Sequence, residues 1–181
     1  MDKPRLAWGF TGSGHYVKEC LELARQFPDV DLFLSNAAAE VLNMYGHELS
    51  SLRERFRIFR DNTASAAPVG LFYHGHYHSF VLAPATSNTV AKCVFGISDT
   101  LITNVFAQAG KCRVPSIVFA CDTEPALLSE APSEWVTVYP RRIDLTNVEQ
   151  LKTFEAVTVV ATMSELQTTL DRRMAVVAGG S

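Results

Sequence analysis

The sequence has few cysteines and no cysteine pair of the kind that binds a metal. Cys20, Cys93, Cys112 and Cys121 stand far apart, and no two of them have the Cys-x-x-Cys spacing. That spacing is typical of zinc ribbons and iron–sulfur centres, so its absence argues against both. Without an evident secretion signal, we expect reduced and mostly buried thiols. The sequence therefore predicts a cytoplasmic protein without a metal site.

Long apolar runs and an excess of positive charge are also missing. No hydrophobic stretch approaches the roughly 18 residues that a membrane-spanning helix needs. The first five residues lead directly into a strand-like segment, so we expect no signal peptide. The formal net charge is −3 over 181 residues, which leaves no broad basic surface for nucleic acid. We expect neither membrane nor nucleic-acid partners.

The sequence does contain a regular alternation of strand-like and helical segments. The predicted strands are Leu6–Phe10, Val30–Leu34, Ser79–Ala83, Val114–Cys121, Val136–Tyr139 and Val157–Val160. The predicted helices are Val17–Phe27, Ala37–Tyr45, Ser51–Arg60, Asn88–Ala109 (one helix or two), Val148–Phe154 and Ser164–Arg173, with a loop at Asp61–Pro68 and a frayed end at Val177–Ser181. This pattern predicts an α/β fold, a doubly wound parallel sheet in a single domain over residues 1–181.

In such folds ligands bind outside the carboxyl ends of the strands, so the loops there are the first candidates. The loop TGSGH, Thr11–His15, follows the first strand and offers two glycines and a hydroxyl before a helix. It lacks the third glycine of GxGxxG and the lysine of a P-loop. Taken alone, it is more typical of a tight turn with a capping serine than of an anion site.

Two further loops carry small and hydroxylic residues. In LSNAA, Leu34–Ala38, the serine is an N-cap candidate that could equally hold a phosphate, and alone the cap is favoured. In APATSNTVAK, Ala83–Lys92, we expect Pro84 to end the strand. Four hydroxyl and amide side chains follow, more than one helix cap needs, which favours a ligand. Together the three loops suit a phosphorylated cofactor of mononucleotide size, held by backbone N–H groups and hydroxyls with little positive charge.

The segment APATSNTVAKCVFGISDTLITNVFAQAGK resembles the signature of the flavoprotein family that includes the homo-oligomeric flavin-containing cysteine decarboxylases. The family pattern is a Pro-Ala-small-Asn-Thr loop and then Gly-Ile-Ala-Asp-Asn/Thr-Leu, matched here by Pro84–Thr89 and Gly96–Leu101. The resemblance implies a Rossmann-like three-layer α/β/α sandwich that binds FMN, with TGSG and LSNAA at the phosphate and ribityl groups. The cofactor-binding residues it implies are Gly12, Ser13, Gly14, Ser35, Asn36, Pro84, Ala85, Thr86, Ser87, Asn88, Thr89, Asp99, Cys121 and Asp122.

A later segment distinguishes the branches of this family. The decarboxylases carry Pro-Ala-Met-Asn after the strand that is here Val114–Ala120, whereas this chain has CDTEP at 121–125. The segments NVFAQAGKCRVPSIVFACD and YPRRIDLTNVEQLKTFEAVTVV are similar to the archaeoflavoprotein and dihydromethanopterin reductase branch. That resemblance implies FMN-dependent reduction of dihydromethanopterin to tetrahydromethanopterin. An FMN electron-transfer flavoprotein without a pterin substrate is the alternative, and a cysteine-type decarboxylase is less favoured.

Reduction of an imine needs a proton as well as a hydride, so groups that can hold a proton near the flavin are candidate catalytic residues. The decarboxylases keep a catalytic histidine shortly before their Pro-Ala loop, and His74, His76 and His78 precede that loop here. We take His74, together with His15 and Asp122, as catalytic candidates. The three alternating histidines would share a strand face suited to a metal, but surface or interface histidines are favoured at about three to one.

The resemblance also implies partners. Family members form trimers, often built into larger closed shells, with FMN near the subunit interface, so we expect a homo-oligomer. The chain lacks the cysteine cluster of a built-in iron–sulfur donor, so NAD(P)H or another reduced carrier is the expected electron donor. The acceptor is a dihydromethanopterin-type pterin. For Asp99 the alternative to cofactor binding is helix packing or contact with a neighbouring subunit.

Overall fold

A computed structural model of the protein describes residues 3–61, 66–131 and 133–179. Its strands are β1 (Arg5–Phe10), β2 (Val30–Leu34), β3 (Arg57–Arg60), β4 (Tyr77–Ala85), β5 (Ser116–Ala120), β6 (Leu127–Glu130), β7 (Trp135–Val138) and β8 (Val157–Val160). Its helices are α1 (Val17–Arg25), α2 (Asn36–Met44), α3 (Leu49–Arg53), α4 (Ala66–Gly70), α5 (Ser87–Val94), α6 (Leu101–Lys111), α7 (Arg142–Leu151) and α8 (Met163–Gly179). No helix within these ranges is long and apolar enough to cross a membrane.

Six parallel strands form the central sheet in the order β3-β2-β1-β4-β5-β8. The strands β2 and β5 are buried along their whole length, as expected for strands covered on both faces. One buried cluster joins Trp8 of β1 to Leu21 of α1 and Leu166 of α8. The cluster on the other face joins Phe80 of β4 to Ile102 of α6 and Val148 of α7. The predicted doubly wound, three-layer α/β fold is confirmed.

The strand order reverses between β1 and β4, and this reversal determines where a ligand site can form. From β1 the chain moves outward to β2 and β3, then returns to place β4 on the other side of β1. The loops that leave β1 and β4 therefore run to opposite faces of the sheet. A crevice opens between them at the carboxyl ends of the strands.

The predicted helix Ser51–Arg60 is wrong in its second half. Only Leu49–Arg53 is helical, and Arg57–Arg60 forms the edge strand β3 beside β2. The charged sequence suggested a surface helix, but Phe59 stacks on Phe33 of β2 with the ring centroids 4.9 Å apart. Charged residues at both ends of β3 are suited to an exposed sheet edge.

Pro84 does not end its strand, contrary to prediction. The strand β4 continues to Ala85, and the ladder between β4 and β5 shifts register between Leu82 and Ala85. The shift removes the need for an N–H that proline lacks. The Ala83–Pro84 peptide bond is cis.

Helical structure after Pro84 is divided into α5 and α6, one of the two predicted alternatives, with Gly96 at φ +69° between them. Three other features differ from prediction. The helix α8 continues through residues 177–179, predicted to be frayed, and residues 180–181 lie outside the described ranges. Of the loop predicted at Asp61–Pro68, residues 62–65 also lie outside them, and α4 begins at Ala66. The strand β7 pairs with β6, which was not predicted, in a separate antiparallel hairpin.

Candidate functional site

A cleft of about 390 Å³ opens at the carboxyl ends of β1, β2 and β4. We call it the strand-end cleft. All three loops predicted to bind a phosphorylated cofactor contribute to its walls. The residues that line it are Thr11, Gly12, Ser35, Asn36, Ala37, Asp61, Thr86, Asn88, Thr89, Lys92, Thr100 and Ile102.

The first loop is fixed to the third by Thr11. Its buried hydroxyl donates to the carbonyl of Pro84 at 2.8 Å and accepts the backbone N–H of Thr86 at 2.9 Å. Three residues earlier, within β1, the indole of Trp8 donates to the carbonyl of Ala83 at 2.8 Å. All three hydrogen bonds are short, so the ends of β1 and β4 are held in one arrangement.

Two glycines allow the first loop to approach α2 closely. A Cβ on Gly12 would lie 2.5 Å from the Cβ of Ala37, and a Cβ on Gly14 would lie 2.5 Å from the hydroxyl oxygen of Tyr45. Neither distance is possible for carbon in a packed protein. Glycine is therefore required at position 12, where the Ala37 Cβ cannot move independently of its backbone, whereas a side chain at position 14 would require the hydroxyl end of Tyr45 to shift.

Ser35 and Thr86 cap helices, as their positions suggested. The Ser35 hydroxyl accepts the N–H of Ala38 at 3.0 Å, and the Thr86 hydroxyl accepts the N–H of Thr89 at 3.4 Å. Two helix amino termini, those of α2 and α5, therefore lie at the same cleft, and each favours an anion there.

The amide side chains beside these two caps are available to a ligand. Asn36 and Asn88 are exposed in the cleft, and neither side chain hydrogen-bonds any residue within the described ranges. With the hydroxyls of Ser35 and Thr86 they give the cleft both donors and acceptors, the groups that bind a phosphate or a polyol.

Lys92 and Asp61 line the cleft and were not among the predicted site residues. The Lys92 ammonium lies 2.8 Å from both carboxylate oxygens of Asp99. A single lysine that is paired with Asp99 is compatible with the expectation of little positive charge. Asn88 and Lys92 are four residues apart in α5, which places them on one helix face, and that spacing is the signal that could have found Lys92. Asp61 was not recognised as a strand-end residue, because the strand β3 before it was predicted to be helical. Its carboxylate accepts the N–H of Leu101 at 3.1 Å.

Asp99 itself does not line the cleft. It is exposed, and its hydrogen bonds with Lys92 lower the pKa of its carboxyl group. Its contact with the site passes through that lysine. Asp99 therefore positions Lys92 and does not itself line the strand-end cleft.

A second group of predicted residues lies beside the cleft at the end of β5. The thiol of Cys121 lies 3.3 Å from the hydroxyl of Ser13, and the hydroxyl of Ser87 donates to the carboxylate of Asp122. Burial raises the pKa of Cys121 to about 12, so its thiol stays protonated at neutral pH. These bonds connect the loops after β1, β4 and β5.

Pro84 and Ala85 are buried and act through their backbones. The carbonyl of Pro84 accepts from Thr11, and the carbonyl of Ala85 accepts the N–H of Cys121 at 3.0 Å. Neither residue lines the cleft. They fix the positions of the loops that do.

His15 is almost completely buried, with 7% of its surface exposed. Its Nδ1 accepts the backbone N–H of Glu130 at 3.3 Å. The proton of the neutral ring is therefore on Nε2. Burial lowers the pKa of His15, against the opposing effect of Glu19, Glu130 and Asp122, so the ring is neutral at pH 7.

The β6–β7 hairpin holds this histidine in place. Glu130 pairs with the ammonium of Lys18 at 2.7 Å, and its carbonyl accepts the hydroxyl of Tyr45 at 3.3 Å. Trp135, opposite Glu130 in the hairpin, points an edge at the His15 ring with the centroids 6.2 Å apart. This contact was not predicted from the sequence, because β6 was not recognised as a strand.

The structure does not bring His74 to this site within one chain. His74 is exposed in the turn before β4, at the amino-terminal end of that strand. The nine residues of β4 span about 30 Å, at roughly 3.3 Å for each residue, and separate it from the cleft. His76 and His78 lie at the same edge. Within the described ranges no group of three metal-ligating side chains is found.

Comparisons with known proteins agree with this geometry. The family model described as Flavoprotein matches residues 1–179, so the chain belongs to the flavoprotein family. The crystal structure of Burkholderia xenovorans DmrB in complex with FMN, described as a cubic protein cage for redox transfer, is 56% identical. It has a TM-score of 0.90, over 97% of this chain and 98% of that one. The predicted family is confirmed, and FMN, the predicted cofactor, is the flavin bound by that relative.

Two curated relatives are more distant. A protein of Methanosarcina mazei named dihydromethanopterin reductase (acceptor) is 38% identical over 73% of this chain, and this chain spans 61% of its length. An uncharacterized protein of Methanocaldococcus jannaschii is 36% identical over 86% of this chain and 88% of its own length. The match therefore leaves more than a third of the reductase without a counterpart in this chain.

Proposed function

We propose that the protein is an FMN-dependent oxidoreductase that reduces dihydromethanopterin to tetrahydromethanopterin. The observation that carries the proposal is the convergence of three strand-end loops on one hydroxyl-rich cleft at the β1/β4 reversal. Membership of the flavoprotein family and the name of the reductase relative support the choice of cofactor and substrate. The whole chain serves as a single FMN-binding domain.

The residues of the cleft fit a flavin mononucleotide. The amino termini of α2 and α5 suit a phosphate, with the hydroxyls of Ser35 and Thr86 and the cation of Lys92 as further partners. Asn36 and Asn88 are free to bind the hydroxyls of a ribityl chain. Glycine at position 12 lets the loop after β1 pack against Ala37 of α2, at the wall of the cleft.

His15 and Asp122 are the groups proposed to supply the proton that pterin reduction requires. Bound FMN supplies a hydride, and saturation of the pterin C=N bond also requires one proton on nitrogen. The neutral ring of His15 holds its proton on Nε2 and is fixed by the N–H of Glu130. Asp122 is held by the hydroxyl of Ser87 and lies close enough to influence the pKa of His15.

Assembly and electron supply complete the proposal. The relative that shares 56% identity forms a cubic cage, so we propose a trimer-based homo-oligomer that extends to a closed shell. The electron donor is NAD(P)H or another reduced carrier, because the chain has no cysteine cluster for a built-in centre. The protein works in the cytoplasm.

A second candidate is an FMN electron carrier that passes electrons to another protein. The description of DmrB as a cage for redox transfer favours it. A cysteine-type decarboxylase is disfavoured because Cys121–Pro125 replaces the Pro-Ala-Met-Asn segment.

The two candidates differ in their response to the pterin. Protein purified and reconstituted with FMN is reduced by NADH, NADPH or dithionite under anaerobic conditions, and dihydromethanopterin is then added. Return of the yellow absorbance with formation of tetrahydromethanopterin supports the reductase. Reduced flavin that is not reoxidised by the pterin but is reoxidised by an electron-carrier protein supports the function of an electron carrier. Protein that retains no FMN contradicts both.

A further inference from the structure

A second cavity lies at the opposite edge of the sheet from the strand-end cleft. It has a volume of about 470 Å³, and it is lined by Lys3, Arg5, Asp29, Arg57 and His76. These residues come from the amino-terminal ends of β1 and β3 and from the segments that lead into β1, β2 and β4. We call them the amino-edge cluster. None of them belongs to the site already described.

The charge of Arg5 is compensated within the cluster. Its guanidinium lies 2.7 Å from the buried carboxylate of Asp31 and 3.4 Å from the carboxylate of Asp29. The other oxygen of Asp31 accepts the hydroxyl of Tyr77 at 2.8 Å. The carboxylates of Asp29 and Asp31 therefore both pair with Arg5.

Within the described ranges, Lys3 and Arg57 have no ion-pair partner of their own. Neither forms an ion pair with any carboxylate in the residues that the structure describes. Arg57 lies over the ring of Phe59 with its guanidinium carbon 4.7 Å from the ring centroid. That stacking orients the guanidinium plane without neutralising it, and it leaves the N–H groups free to donate.

His76 adds a polar atom without a partner. Its Nε2 is shielded from solvent, and no hydrogen-bond partner for it is found among the described residues. A buried polar atom of this kind is costly unless a water or ligand pairs with it. The cavity is thus lined by two cations without an ion-pair partner among the described residues, while the unsatisfied His76 nitrogen is enclosed by the protein.

We propose that the amino-edge cluster binds a small-molecule oxyanion of the phosphate type. A phosphate group carries between one and two negative charges at neutral pH and three acceptor oxygens. Its separate oxygens can accept the N–H groups of Arg57 and the ammonium of Lys3 at the same time. The cavity is wide enough for such a group together with part of the molecule that bears it. The site is independent of the proposed flavin.

The test uses inorganic phosphate and FMN-saturated protein, so that the strand-end cleft is already filled. Binding is followed by phosphorus NMR at constant ionic strength, with chloride as the balancing anion. We expect saturable binding that is weakened about tenfold by Arg57→Gln and by Lys3→Gln. The matched control is Arg53→Gln, which removes the same charge from an exposed position on α3 and should leave binding unchanged.

Two results would overturn the proposal. One is the absence of saturable phosphate binding to the wild-type protein. The other is equal binding by all three variants, which would place the anion elsewhere. Because Lys3 lies outside every helix and strand, its variant tests the site even if Arg57→Gln lowers the stability of β3. The signal of the FMN phosphate, observed in the same spectra, reports separately whether the strand-end cleft is occupied.

Discussion

Thr11 and Thr86 are joined across the crevice of the sheet by one buried hydroxyl. The Thr11 hydroxyl accepts the N–H of Thr86 at 2.9 Å while it donates to the carbonyl of Pro84 at 2.8 Å. Each strand end is therefore positioned relative to the other by a side chain that itself lines the cleft. The shape of the proposed FMN site depends on this contact.

Replacement of Thr11 by valine removes the hydroxyl and keeps the shape. It leaves the N–H of Thr86 without its partner, which costs about 1–3 kcal/mol, while the carbonyl of Pro84 keeps only the backbone N–H of Thr11 at 3.3 Å. We expect FMN affinity to fall about tenfold or more in a flavin fluorescence titration. Thr11→Ser is the matched control and should bind nearly as well as the wild type. Equal loss in both variants would contradict a role for the hydroxyl.

Replacement of Gly12 by alanine tests the close approach of the first loop to α2. The new Cβ would lie 2.5 Å from the Cβ of Ala37, so one of the two backbones must move. We expect FMN binding to be lost or weakened at least tenfold, measured by retained flavin after purification. Gly110→Ala is the control, because a Cβ there meets nothing within 4 Å and the position is helical. That variant should bind normally and gain about 0.5–1 kcal/mol of stability.

Replacement of His15 by glutamine tests the proposed proton donor. Glutamine keeps a polar group of similar reach but cannot supply an imidazole proton. We expect FMN binding to remain and pterin reduction to fall by about 10²-fold or more, as is typical for loss of a general acid. The measurement is the rate of flavin reoxidation by dihydromethanopterin. If this rate is unchanged, His15 has only a structural role.

Asp122→Asn is the companion measurement. It keeps the hydrogen bond with Ser87 possible and removes the negative charge near His15. A variant that binds FMN and reduces the pterin at the wild-type rate removes Asp122 from the catalytic candidates.

Arg173 attaches α8 to the sheet far from the cleft. Its Nε donates to the buried hydroxyl of Ser79 at 2.7 Å, and its Nη2 donates to the carbonyl of His78 at 2.7 Å. We expect Arg173→Gln to lower the free energy of unfolding by about 1–3 kcal/mol, measured by denaturant titration. Arg172→Gln changes an exposed neighbour on the same helix and should change stability by less than about 0.5 kcal/mol. FMN affinity of both variants should match the wild type.

The stability of the protein should fall as the pH is lowered from about 6.5 to 4. Burial lowers the pKa of His78 to about 4, with Arg173 and Lys3 acting in the same direction. In that range the unfolded chain binds a proton that the folded chain does not, so the free energy of unfolding rises with pH. Burial lowers the pKa of His15 and of His47 as well, and both add to the slope.

The contribution of His78 can be separated by substitution. We expect His78→Gln to flatten part of the pH dependence, by roughly 1–3 kcal/mol across the window. Urea titrations at a series of pH values measure it. An unchanged slope in this variant would show that His78 does not titrate as described.

The sequence was sufficient for the inner strands of the central sheet because they are buried on both faces. Continuous apolar runs such as Val30–Leu34 are visible without any tertiary information. Arg57–Arg60 could not be found in this way, since it is an edge strand with charged ends and owes its conformation to pairing with β2. The short strand β6 depends in the same way on its partner β7.

The residues of the site that directly follow predicted strands could be found from the sequence. Ser35, Asn36, Thr86, Asn88 and Thr89 stand directly after strands, and all of them line the cleft. The other contacts join residues far apart in sequence. The pairing of the Glu130 N–H with His15 depends on a hairpin more than one hundred positions away.

His74 shows the opposite limit of sequence reasoning. It was placed near the cofactor by its distance along the chain from Pro84. The intervening residues are extended, so that distance carries His74 to the far edge of the sheet. Separation along the chain becomes a distance in space only once the conformation between two residues is known.

The measurement that tests the central claim most directly is anaerobic stopped-flow reoxidation of the FMN-loaded, reduced protein by dihydromethanopterin. The account predicts a rate that saturates with pterin concentration and the formation of one tetrahydromethanopterin for each flavin reoxidised. Flavin that stays reduced at every dihydromethanopterin concentration would contradict the account.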